Sequence, residues 1–250
     1  DVENFLKVNM QKNTMLITGA TSGIGRALAD YYNKKNYQLI LTGSSEKKIQ
    51  DLKKIFPKKT YIRKLNLSDT PDINKFIKEC ITKFKSIDVL IANAGMYESS
   101  KIIDGNPDKW DKVVAVNLTS VFRLVNAVLP YMKKNKFGDI AITSSISGHQ
   151  AIYWEPIYSA TKHAIQSFAH GLRVQVSKYN IRVVSIAPGI VLTELWNVDP
   201  KKDKKLIKNK IKNGDALTVN DIVECFEFAL SRPRHVTLRD IVILPRNQNI

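Results

Sequence analysis

Short apolar runs alternate with longer amphipathic segments along almost the whole chain. Seven runs rich in Val, Ile and Leu are typical of buried strands, and they lie at residues 15–17, 38–41, 61–65, 89–92, 140–143, 183–186 and 241–244. Between them, apolar residues recur with helical spacing, as in residues 73–84 and 113–132. This alternation predicts parallel strands joined by right-handed helical crossovers. The predicted fold is therefore one doubly wound α/β domain, with a parallel seven-stranded sheet and helices on both faces.

Composition changes this picture little, with one exception. A chain of 250 residues with 44% hydrophobic and 25% charged residues suits a globular domain with one core. Its formal charge of +16 is unusual and would attract polyanions. The basic pairs are spread along the chain without interleaved aromatic residues, so we interpret them as a soluble surface and expect no nucleic-acid partner. A DNA-binding protein, the alternative, would show steep salt dependence of its affinity.

Cysteine use and apolar run lengths indicate a compartment. Cys80 and Cys225 have no partner at metal-ligand spacing, which predicts reduced thiols and no metal site. Residues 1–14 are polar and do not resemble a signal peptide. No run approaches the roughly 18 apolar residues of a membrane span. We expect a soluble, cytoplasmic protein without membrane contact.

A glycine-rich turn follows the first predicted strand. Residues 18–25 read Thr-Gly-Ala-Thr-Ser-Gly-Ile-Gly and precede an amphipathic segment. Glycines let a backbone approach a pyrophosphate, and the following helix offers unpaired N–H groups. The spacing differs from the commoner Gly-x-Gly-x-x-Gly. Its place at a strand–helix junction nevertheless predicts a dinucleotide site, with these residues in contact: Gly19, Thr21, Ser22, Gly23, Ile24 and Gly25.

The end of the second strand bears on which dinucleotide is bound. An acidic residue there would bind the ribose hydroxyl of NAD and repel a 2′-phosphate. The chain instead has Gly43, Ser44 and Ser45, followed by Lys47 and Lys48. Gly43 leaves room, and the hydroxyls and lysines suit a phosphate, although no Arg is present to clamp it. NADP(H) is favoured, and NAD(H) stays possible.

Tyr158 and Lys162 are four residues apart, so on a helix they project from one face, one turn apart. A nearby cation favours a phenolate, so Lys162 is expected to lower the pKa of Tyr158 and make it a proton donor and acceptor for alcohol–carbonyl chemistry. Ser145, thirteen residues upstream, offers a hydroxyl for the same substrate oxygen. A Tyr-x-x-x-Lys pair alone could equally be a solvated helix face.

Taken together, these motifs resemble the short-chain dehydrogenase/reductase family of the classical type. The resemblance extends from about residue 15 to residue 244 and rests on six features in the family's order. They are the turn at residues 18–25, Asn93-Ala94-Gly95, Asn117, Ser145, Tyr158 with Lys162, and Pro188-Gly189 leading to Thr193. The fold it implies is of the Rossmann type, with a cofactor half near residues 12–145 and a catalytic half near 146–250.

The resemblance implies a role for each matching residue. Tyr158 would be the general acid and base, Lys162 would also bind the nicotinamide ribose, Ser145 would orient the substrate oxygen, and Asn117 would anchor a water beside Lys162. The cofactor contacts it implies are Asn66 and Leu67 at adenine, Asn93, Ala94 and Gly95 at the floor, and Pro188, Gly189, Val191 and Thr193 at the nicotinamide. Asn66 departs from the family, which usually has Asp there.

A closer resemblance concerns the substrate. The segment Trp154-Glu155-Pro156-Ile157-Tyr158 is similar to that of ribitol dehydrogenase and its relatives, which implies a small polyol and places Trp154 and Glu155 beside it. The relatives carry an Asp where Gly43 stands, which puts the cofactor or the substrate in question. Residues 232–245 also resemble NADP-dependent 3-hydroxy acid dehydrogenases. Further substrate candidates are His149 and Trp196, which could instead be a loop residue and a core residue.

The resulting prediction is an NAD(P)-dependent oxidoreductase that interconverts a secondary alcohol and a ketone. A 3-hydroxy acid dehydrogenase is the alternative within the family, and a dinucleotide-sensing protein without catalysis is the alternative outside it. Residues 192–215 are polar and Lys-rich, which predicts a mobile lid over the site or a solvated helix pair. The family resemblance further implies a homotetramer or homodimer.

Overall fold

A computed structural model describes residues 14–98 and 102–249. The predicted N-terminal segment, apart from Thr14, lies outside the described residues. Seven strands are formed in this part of the chain: β1 Thr14–Ile17, β2 Gln38–Gly43, β3 Tyr61–Lys64, β4 Val89–Ala92, β5 Gly138–Thr143, β6 Ile181–Pro188 and β7 Asp240–Ile243. They correspond to the seven apolar runs of the sequence, so the strand prediction is confirmed.

Helices connect the strands. They are α1 Gly23–Lys34, α2 Glu46–Ile55, α3 Thr70–Phe84, α4 Pro107–Val114, α5 Ser120–Asn135, α6 Pro156–Val176, α7 Lys204–Asn213 and α8 Val219–Leu230. Local sequence sets several of their first residues. The side chains of Ser45, Asp69, Asn106 and Thr218 each accept a hydrogen bond from a backbone N–H of the first turn.

All pairings in the sheet are parallel, in the order β3-β2-β1-β4-β5-β6-β7. The central strands are buried on both faces, which explains their continuous apolar composition. One core cluster packs α3, α5 and α6 on one face, and the other packs α1, α2 and α8 on the opposite face. The doubly wound seven-stranded fold predicted from the sequence is confirmed.

The chain order reverses between β1 and β4. From β1 the chain builds outward to β3, then returns to place β4 on the other side of β1. The loops after β1 and β4 therefore diverge and leave a crevice at the carboxyl ends of these strands. The glycine-rich turn, the Asn93-Ala94-Gly95 motif and Ser145 follow the carboxyl ends of strands, and Tyr158 and Lys162 lie in the helix between β5 and β6.

One helical run has the length and apolar composition of a membrane span. It extends from Pro107 to Asn135 and includes a π-helical turn, Ala115–Thr119, between α4 and α5. Its apolar residues Val121, Leu124 and Val128 are buried and belong to the core cluster on one face of the sheet. Packing within the domain therefore accounts for part of the apolar character of this run.

Candidate active site

A cavity of about 510 Å³ lies at the carboxyl edge of the sheet, over β1 and β4. Most of the residues predicted from the sequence line it. They are Gly19, Thr21, Ser22, Gly23, Ile24, Gly43, Ser44, Asn66, Leu67, Asn93, Ala94, Gly95, Ser145, Tyr158, Lys162, Pro188, Gly189, Val191, Thr193 and Trp196. The fold thus brings together residues that are up to 177 positions apart in sequence, as 196 minus 19 shows.

The glycine-rich turn forms one wall of this cavity. Gly19 and Gly23 have φ angles of +67° and +51°, which favour glycine over residues with a Cβ. A Cβ on Gly19 would also lie 2.9 Å from the Cα of Ala94. The Ser22 side chain, at the N-cap of α1, makes no capping hydrogen bond. First-turn N–H groups of α1 are therefore available to an anionic group, which fits the pyrophosphate of a dinucleotide.

Gly25 lies behind the turn, outside the cavity lining, and serves its packing. A Cβ on Gly25 would lie 2.2 Å from the carbonyl oxygen of Gly19 and 2.5 Å from Nδ2 of Asn93. Because neither group can move freely, only glycine fits. Gly25 is therefore required for packing of the turn, and the predicted cofactor contact at Gly25 stays a prediction.

The end of β2 differs from the expectation in one respect. A Cβ on Gly43 would lie 2.4 Å from the methyl group of Thr21, so the space beside Gly43 is filled by that side chain and is not open room. Ser44 and Lys48 line the cavity here. Ser45 lies outside the lining, and its Oγ accepts a hydrogen bond from the N–H of Lys48. Lys48 is therefore the cation that this end of the cavity presents, together with the hydroxyls of Thr21 and Ser44.

Asn66, predicted to contact adenine, lines the cavity after β3, although it departs from the family pattern. Its Oδ1 accepts hydrogen bonds from the N–H and the hydroxyl of Ser68, at 3.2 and 2.7 Å. An amide oxygen can accept these bonds as a carboxylate does, so the loop after β3 keeps its turn with Asn in place of Asp.

Asn93 joins three strands below the cavity. Its Nδ2 donates to the carbonyl of Thr18 at 3.1 Å, and its Oδ1 accepts from the Thr143 hydroxyl at 3.1 Å. The Thr18 hydroxyl in turn accepts from the N–H groups of Asn93 and Ala94. These bonds fix the ends of β1, β4 and β5 relative to one another and form a rigid floor.

Asn117 is buried in the π-helical turn between α4 and α5. Its Oδ1 accepts from the N–H of Met96 at 2.7 Å, and its Nδ2 donates to the carbonyl of Met96 at 2.8 Å. These two bonds fix the loop that follows β4. Asn117 itself lies outside the cavity lining. A Cβ on the adjacent Gly95 would lie 3.5 Å from Oδ1 of Asn117 and 3.9 Å from Nζ of Lys162, so the three residues form one group.

Ser145, Tyr158 and Lys162 meet at the inner end of the cavity, and all three are buried. Ser145 begins the 3₁₀ turn Ile146–Gly148 after β5, while Tyr158 and Lys162 lie one turn apart on α6. The hydroxyls of Ser145 and Tyr158 share a hydrogen bond. Gly148 allows the 3₁₀ turn to lie against α6, because a Cβ there would be 2.7 Å from the carbonyl oxygen of Lys162.

The pKa of Tyr158 corrects one expectation. Burial raises this pKa above its ordinary value, the negative charge of Glu155 adds to the increase, and the hydrogen bond from Ser145 opposes it. Burial also lowers the pKa of Lys162 to about 8. The Lys162 Nζ donates to the carbonyl of Thr143 at 3.0 Å and lies 5.5 Å from the centre of the Tyr158 ring. The prediction that Lys162 holds the Tyr158 pKa below its ordinary value is therefore wrong, because burial of the phenol dominates.

Aromatic side chains pack against Tyr158 beside the cavity. The ring of Tyr97 is 5.2 Å from that of Tyr158 and 4.5 Å from that of Trp196, measured between centroids. Trp196 lies in the 3₁₀ turn Glu194–Trp196, so Glu194 and Leu195 line the cavity as well. The sequence analysis missed Glu194. Its position next to Thr193, in a segment already predicted to cover the site, is the signal that could have identified it.

Three predicted substrate residues lie outside the cavity lining. His149 is exposed, and its ring nitrogen contacts the Gln166 amide. Trp154 is 44% exposed and packs against Tyr153. Glu155 is only 2% exposed and accepts a hydrogen bond from the Ser147 hydroxyl. Glu155 is therefore buried beside Ser147 and Trp154 lies at the surface, so Tyr158 is the residue of the segment 154–158 that lines the cavity.

The segment predicted to be a lid lies between β6 and α8. Residues 192–215 contain the turn Glu194–Trp196 and helix α7, none of whose residues is buried. A parallel bridge joins Val191 to Leu217, and Gly214, with φ of +81°, ends α7. The two ends of the segment are thus adjacent, as in loops that move as a unit. Movement of this segment stays a prediction.

Known proteins resemble this chain over most of its length. A family model described as short chain dehydrogenase matches residues 13–204. An uncharacterized oxidoreductase of Staphylococcus saprophyticus is 30% identical over 247 residues, which cover 95% of this chain and 99% of the relative. An uncharacterized oxidoreductase of Staphylococcus aureus is 30% identical and covers 92% of this chain and 96% of its own length.

Solved structures share the whole fold. Serine dehydrogenase in a closed form with NADP+ is 27% identical, has a TM-score of 0.86 and covers 95% of this chain and 96% of its own. A 4-hydroxyisoleucine dehydrogenase in complex with NADH is 29% identical, has a TM-score of 0.82 and covers 93% of this chain and 97% of its own. Both were solved with a nicotinamide dinucleotide.

Proposed function

Because the chain belongs to the short-chain dehydrogenase family and is an NAD(P)-dependent oxidoreductase, we propose that it interconverts a small polyhydroxylated secondary alcohol and its ketone. The observation that carries this proposal is the shared cavity, in which Ser145, Tyr158 and Lys162 line the same space as the glycine-rich turn. The turn fits a dinucleotide, and the three side chains fit alcohol–carbonyl chemistry.

The residues divide the work as follows. The nicotinamide that this cavity would hold would supply the hydride for the carbonyl carbon in reduction and accept it from the alcohol carbon in oxidation. In reduction the Tyr158 phenol gives its proton to the substrate oxygen, and in oxidation it takes that proton back. Ser145 binds the same oxygen through its hydroxyl. Lys162, charged at neutral pH, faces the ring of Tyr158 and favours the phenolate that forms after proton release.

Asn117 and Lys162 are proposed to work as a pair. Asn117 is fixed by both its amide atoms to the backbone of Met96, and Gly95 brings this loop close to Nζ of Lys162. The position fits an anchor for a water that exchanges protons with Lys162. Rigid placement of these groups lowers the cost of ordering them in the transition state.

The cofactor is proposed to be NADP(H) in preference to NAD(H). Lys48, Ser44 and Thr21 line the end of the cavity beside β2, and no carboxylate of the described residues lines that end. The ammonium group of Lys48 supplies a positive charge, and the hydroxyls of Ser44 and Thr21 supply two hydrogen-bond donors. This combination suits a ribose 2′-phosphate.

Glu194 favours a neutral polyol over an anionic substrate. Glu194 is exposed and lines the cavity beside Trp196, and a carboxylate turned toward the substrate would accept hydrogen bonds from hydroxyl groups and repel a substrate carboxylate. This residue takes the place that the sequence assigned to Glu155. A 3-hydroxy acid is the second candidate, because the neighbour serine dehydrogenase is named for a substrate that is itself a 3-hydroxy acid.

The absorbance of NADPH at 340 nm tests the proposal. Purified protein is assayed with NADP+ and NAD+ against ribitol and other polyols, against serine and against simple 3-hydroxy acids. We expect turnover of a polyol, and Glu194→Gln is expected to raise its KM about threefold to tenfold, since a weaker acceptor remains. Turnover of 3-hydroxy acids only, with a lower KM in Glu194→Gln, would instead establish the second candidate. Glu46→Gln, an exposed carboxylate outside the cavity, is the control.

The remaining expectations about the protein's context are also part of this proposal. Assembly as a homotetramer or homodimer rests on the family resemblance, and a cytoplasmic location rests on the two cysteines, which we interpret as reduced thiols. The alternative of a dinucleotide sensor without catalysis is not retained, because the chain belongs to a family of oxidoreductases and keeps Ser145, Tyr158 and Lys162 at one site.

A further inference from the structure

Glu155 is a buried carboxyl group with neutral partners. It lies at the N-cap position of α6, yet its side chain makes no capping bond there. Its Oε1 instead accepts from the Ser147 hydroxyl at 2.5 Å, and its carboxyl group also hydrogen-bonds Tyr97. Within the described residues, no Lys, Arg or His forms an ion pair with it. Burial of an unpaired carboxyl group costs free energy of folding, so such a group is unusual in a core and its presence indicates a functional role.

A chain of hydrogen bonds connects this carboxyl group to the reaction site. The hydroxyl oxygens of Ser147 and Ser145 are 3.1 Å apart, and the Ser147 N–H also donates to Oγ of Ser145 at 3.1 Å. Ser145 in turn shares a hydrogen bond with the Tyr158 phenol. The buried Glu155 is thus three hydrogen bonds from the group proposed to exchange a proton with the substrate.

Each serine hydroxyl has one hydrogen, so the chain has two possible directions. When Glu155 is ionised it can only accept, and Ser147 donates to it. Ser145 then donates to Ser147 and presents lone pairs to the site. When Glu155 is protonated it donates to Ser147, which donates to Ser145. The hydrogen of Ser145 is then free to point at the substrate.

We propose that Glu155 is a positioning residue whose protonation sets the direction of this chain, and thereby whether Ser145 donates to a ketone oxygen or accepts from an alcohol hydroxyl. The inference rests on the proposed function, in which Ser145 binds the substrate oxygen. The rearrangement turns hydroxyl groups and breaks no covalent bond other than the O–H bond of Glu155. That single proton is exchanged with solvent, so Ser145 and Ser147 keep theirs.

The surroundings of Glu155 fit a carboxyl group that changes charge. Burial raises its pKa, and the hydrogen bonds from Ser147 and Tyr97 oppose that change. The titratable groups that face it are Tyr97, from the loop after β4, and Tyr158, on α6. The N-terminal end of α6 favours the ionised form. Ionised Glu155 also raises the pKa of Tyr158, so its charge affects both groups that bind the substrate oxygen.

Infrared spectroscopy of the protein alone tests the first half of the proposal. A protonated carboxyl group has a C=O stretching band that a carboxylate lacks, and wild type minus Glu155→Gln isolates the band of Glu155. We expect this band to disappear as the pH rises through the acidic range above the ordinary value for glutamate. In Ser147→Ala the loss should occur at higher pH, because a donor that stabilises the charged form is gone. A difference spectrum without a titrating band would overturn the proposal, whatever substrate the enzyme uses.

Steady-state kinetics tests the second half. In wild type, the KM of the ketone should increase and the KM of the alcohol decrease, each about tenfold, as Glu155 ionises. Gln is neutral at every pH and can donate to Ser147, so Glu155→Gln should keep the low-pH value of both KM constants throughout. Ser147→Ala should remove the pH response as well, since the connection is broken. An unchanged wild-type response in Glu155→Gln would refute the inference while leaving the proposed function intact.

The proposed function can fail separately. If wild-type protein turns over none of the alcohols or ketones tested while the Glu155 band titrates, the dehydrogenase assignment to those substrates fails. The hydrogen-bond chain would then still be supported by the spectroscopic result. Binding of NADPH to Glu155→Gln, measured by quenching of tryptophan fluorescence, should equal that of wild type because Glu155 lies outside the cavity lining.

Discussion

The phenol of Tyr158 lies between Ser145, with which it shares a hydrogen bond, and the ring of Tyr97. Its pKa is raised by burial, so at neutral pH the group is a neutral phenol that has a proton to give. This state suits ketone reduction directly. In the proposed alcohol oxidation the same phenol would first lose its proton, and a charged Lys162 is the nearby group proposed to favour this loss.

Replacement of Tyr158 by Phe is expected to lower kcat by at least about a hundredfold, the usual contribution of a general acid and base. The ring and its contacts with Tyr97 are kept, so NADPH binding should be unchanged. Turnover is followed at 340 nm and binding by tryptophan fluorescence. Tyr153→Phe, which removes the hydroxyl of an 88% exposed tyrosine, is the control. A near-normal kcat in Tyr158→Phe would exclude the assigned role.

Lys162 makes a prediction about stability and pH. Burial lowers its pKa from 10.5 to about 8. Below about pH 8 the lysine is protonated in both the folded and the unfolded protein, and the folded state carries the full cost of the buried charge. Between about pH 8 and 10.5 the folded protein has released the proton while the unfolded chain keeps it. The free energy of unfolding therefore rises with pH through this window, by on the order of 3 kcal/mol.

Urea unfolding of wild type and Lys162→Met at several pH values checks this sign. The Met variant has no charge to bury, so it should be more stable than wild type at pH 7. The difference should shrink as the pH rises toward 10.5. A difference that stays constant from pH 7 to 10.5 would show that the pKa of Lys162 is not lowered by folding.

At the scale of secondary-structure elements, the turn between β1 and α1 depends on close packing. The backbone of Gly19 contacts Ala94, Gly25 lies against the Gly19 carbonyl, and Asn93 connects the turn to β5 through Thr143. Glycine is required at residue 25 for space, whereas at residues 19 and 23 it is also favoured by a positive φ angle. The motif thus combines two different physical requirements.

Two glycine substitutions compare a glycine that has no room for a methyl group with a helical glycine that has room for one. Gly25→Ala places a methyl group within 2.5 Å of two fixed neighbours, so it should destabilise the fold by about 1–3 kcal/mol and weaken dinucleotide binding. Gly171→Ala in α6 meets nothing within 4 Å, and alanine should stabilise that helix by about 0.5–1 kcal/mol. Thermal unfolding of both variants gives the comparison. A Gly25→Ala variant as stable as wild type would mean that the turn can relax.

For the whole molecule, the formal charge of +16 favours binding of anions, and the position of each cation decides which anion is preferred. Lys47 and Lys48 are adjacent and both exposed, but only Lys48 lines the cavity. The basic residues are spread along the whole chain, so attraction for anions in general needs no particular lysine. Preference for a phosphorylated ribose requires a cation at one place, and Lys48 is the residue proposed to supply it.

Ligand-induced stabilisation tests this preference. At a hundred times its Kd, a dinucleotide adds about 2.7 kcal/mol to the free energy of unfolding, which for 250 residues corresponds to a Tm increase of roughly 5–10 °C. NADPH should give the larger increase at equal concentration. Lys48→Ala should reduce the NADPH effect and spare the NADH effect, whereas Lys47→Ala should change neither. Equal losses for both dinucleotides in Lys48→Ala would count against a 2′-phosphate contact.

The sequence by itself determined the fold, the family and the main site motifs. Apolar runs of strand length, separated by amphipathic helices, specify a doubly wound sheet because each element must bury its apolar face. The crevice then follows from strand order, so residues after β1, β4, β5 and β6 had to meet. Local chemistry was enough to single out the glycine-rich turn, Ser145, Tyr158 and Lys162.

Only the tertiary structure decided how these groups are charged and which side chains reach the cavity. The pKa of Tyr158 depends on how many neighbours exclude water from it, which no spacing in the sequence reveals. In the sequence, Glu155 and Glu194 are both glutamates next to a predicted motif. In the folded protein, Glu155 is buried beside Ser147 at the start of α6, whereas Glu194 lies in the turn after Thr193 and lines the cavity. Burial and orientation depend on contacts between distant segments, and such contacts exist only once the chain is folded.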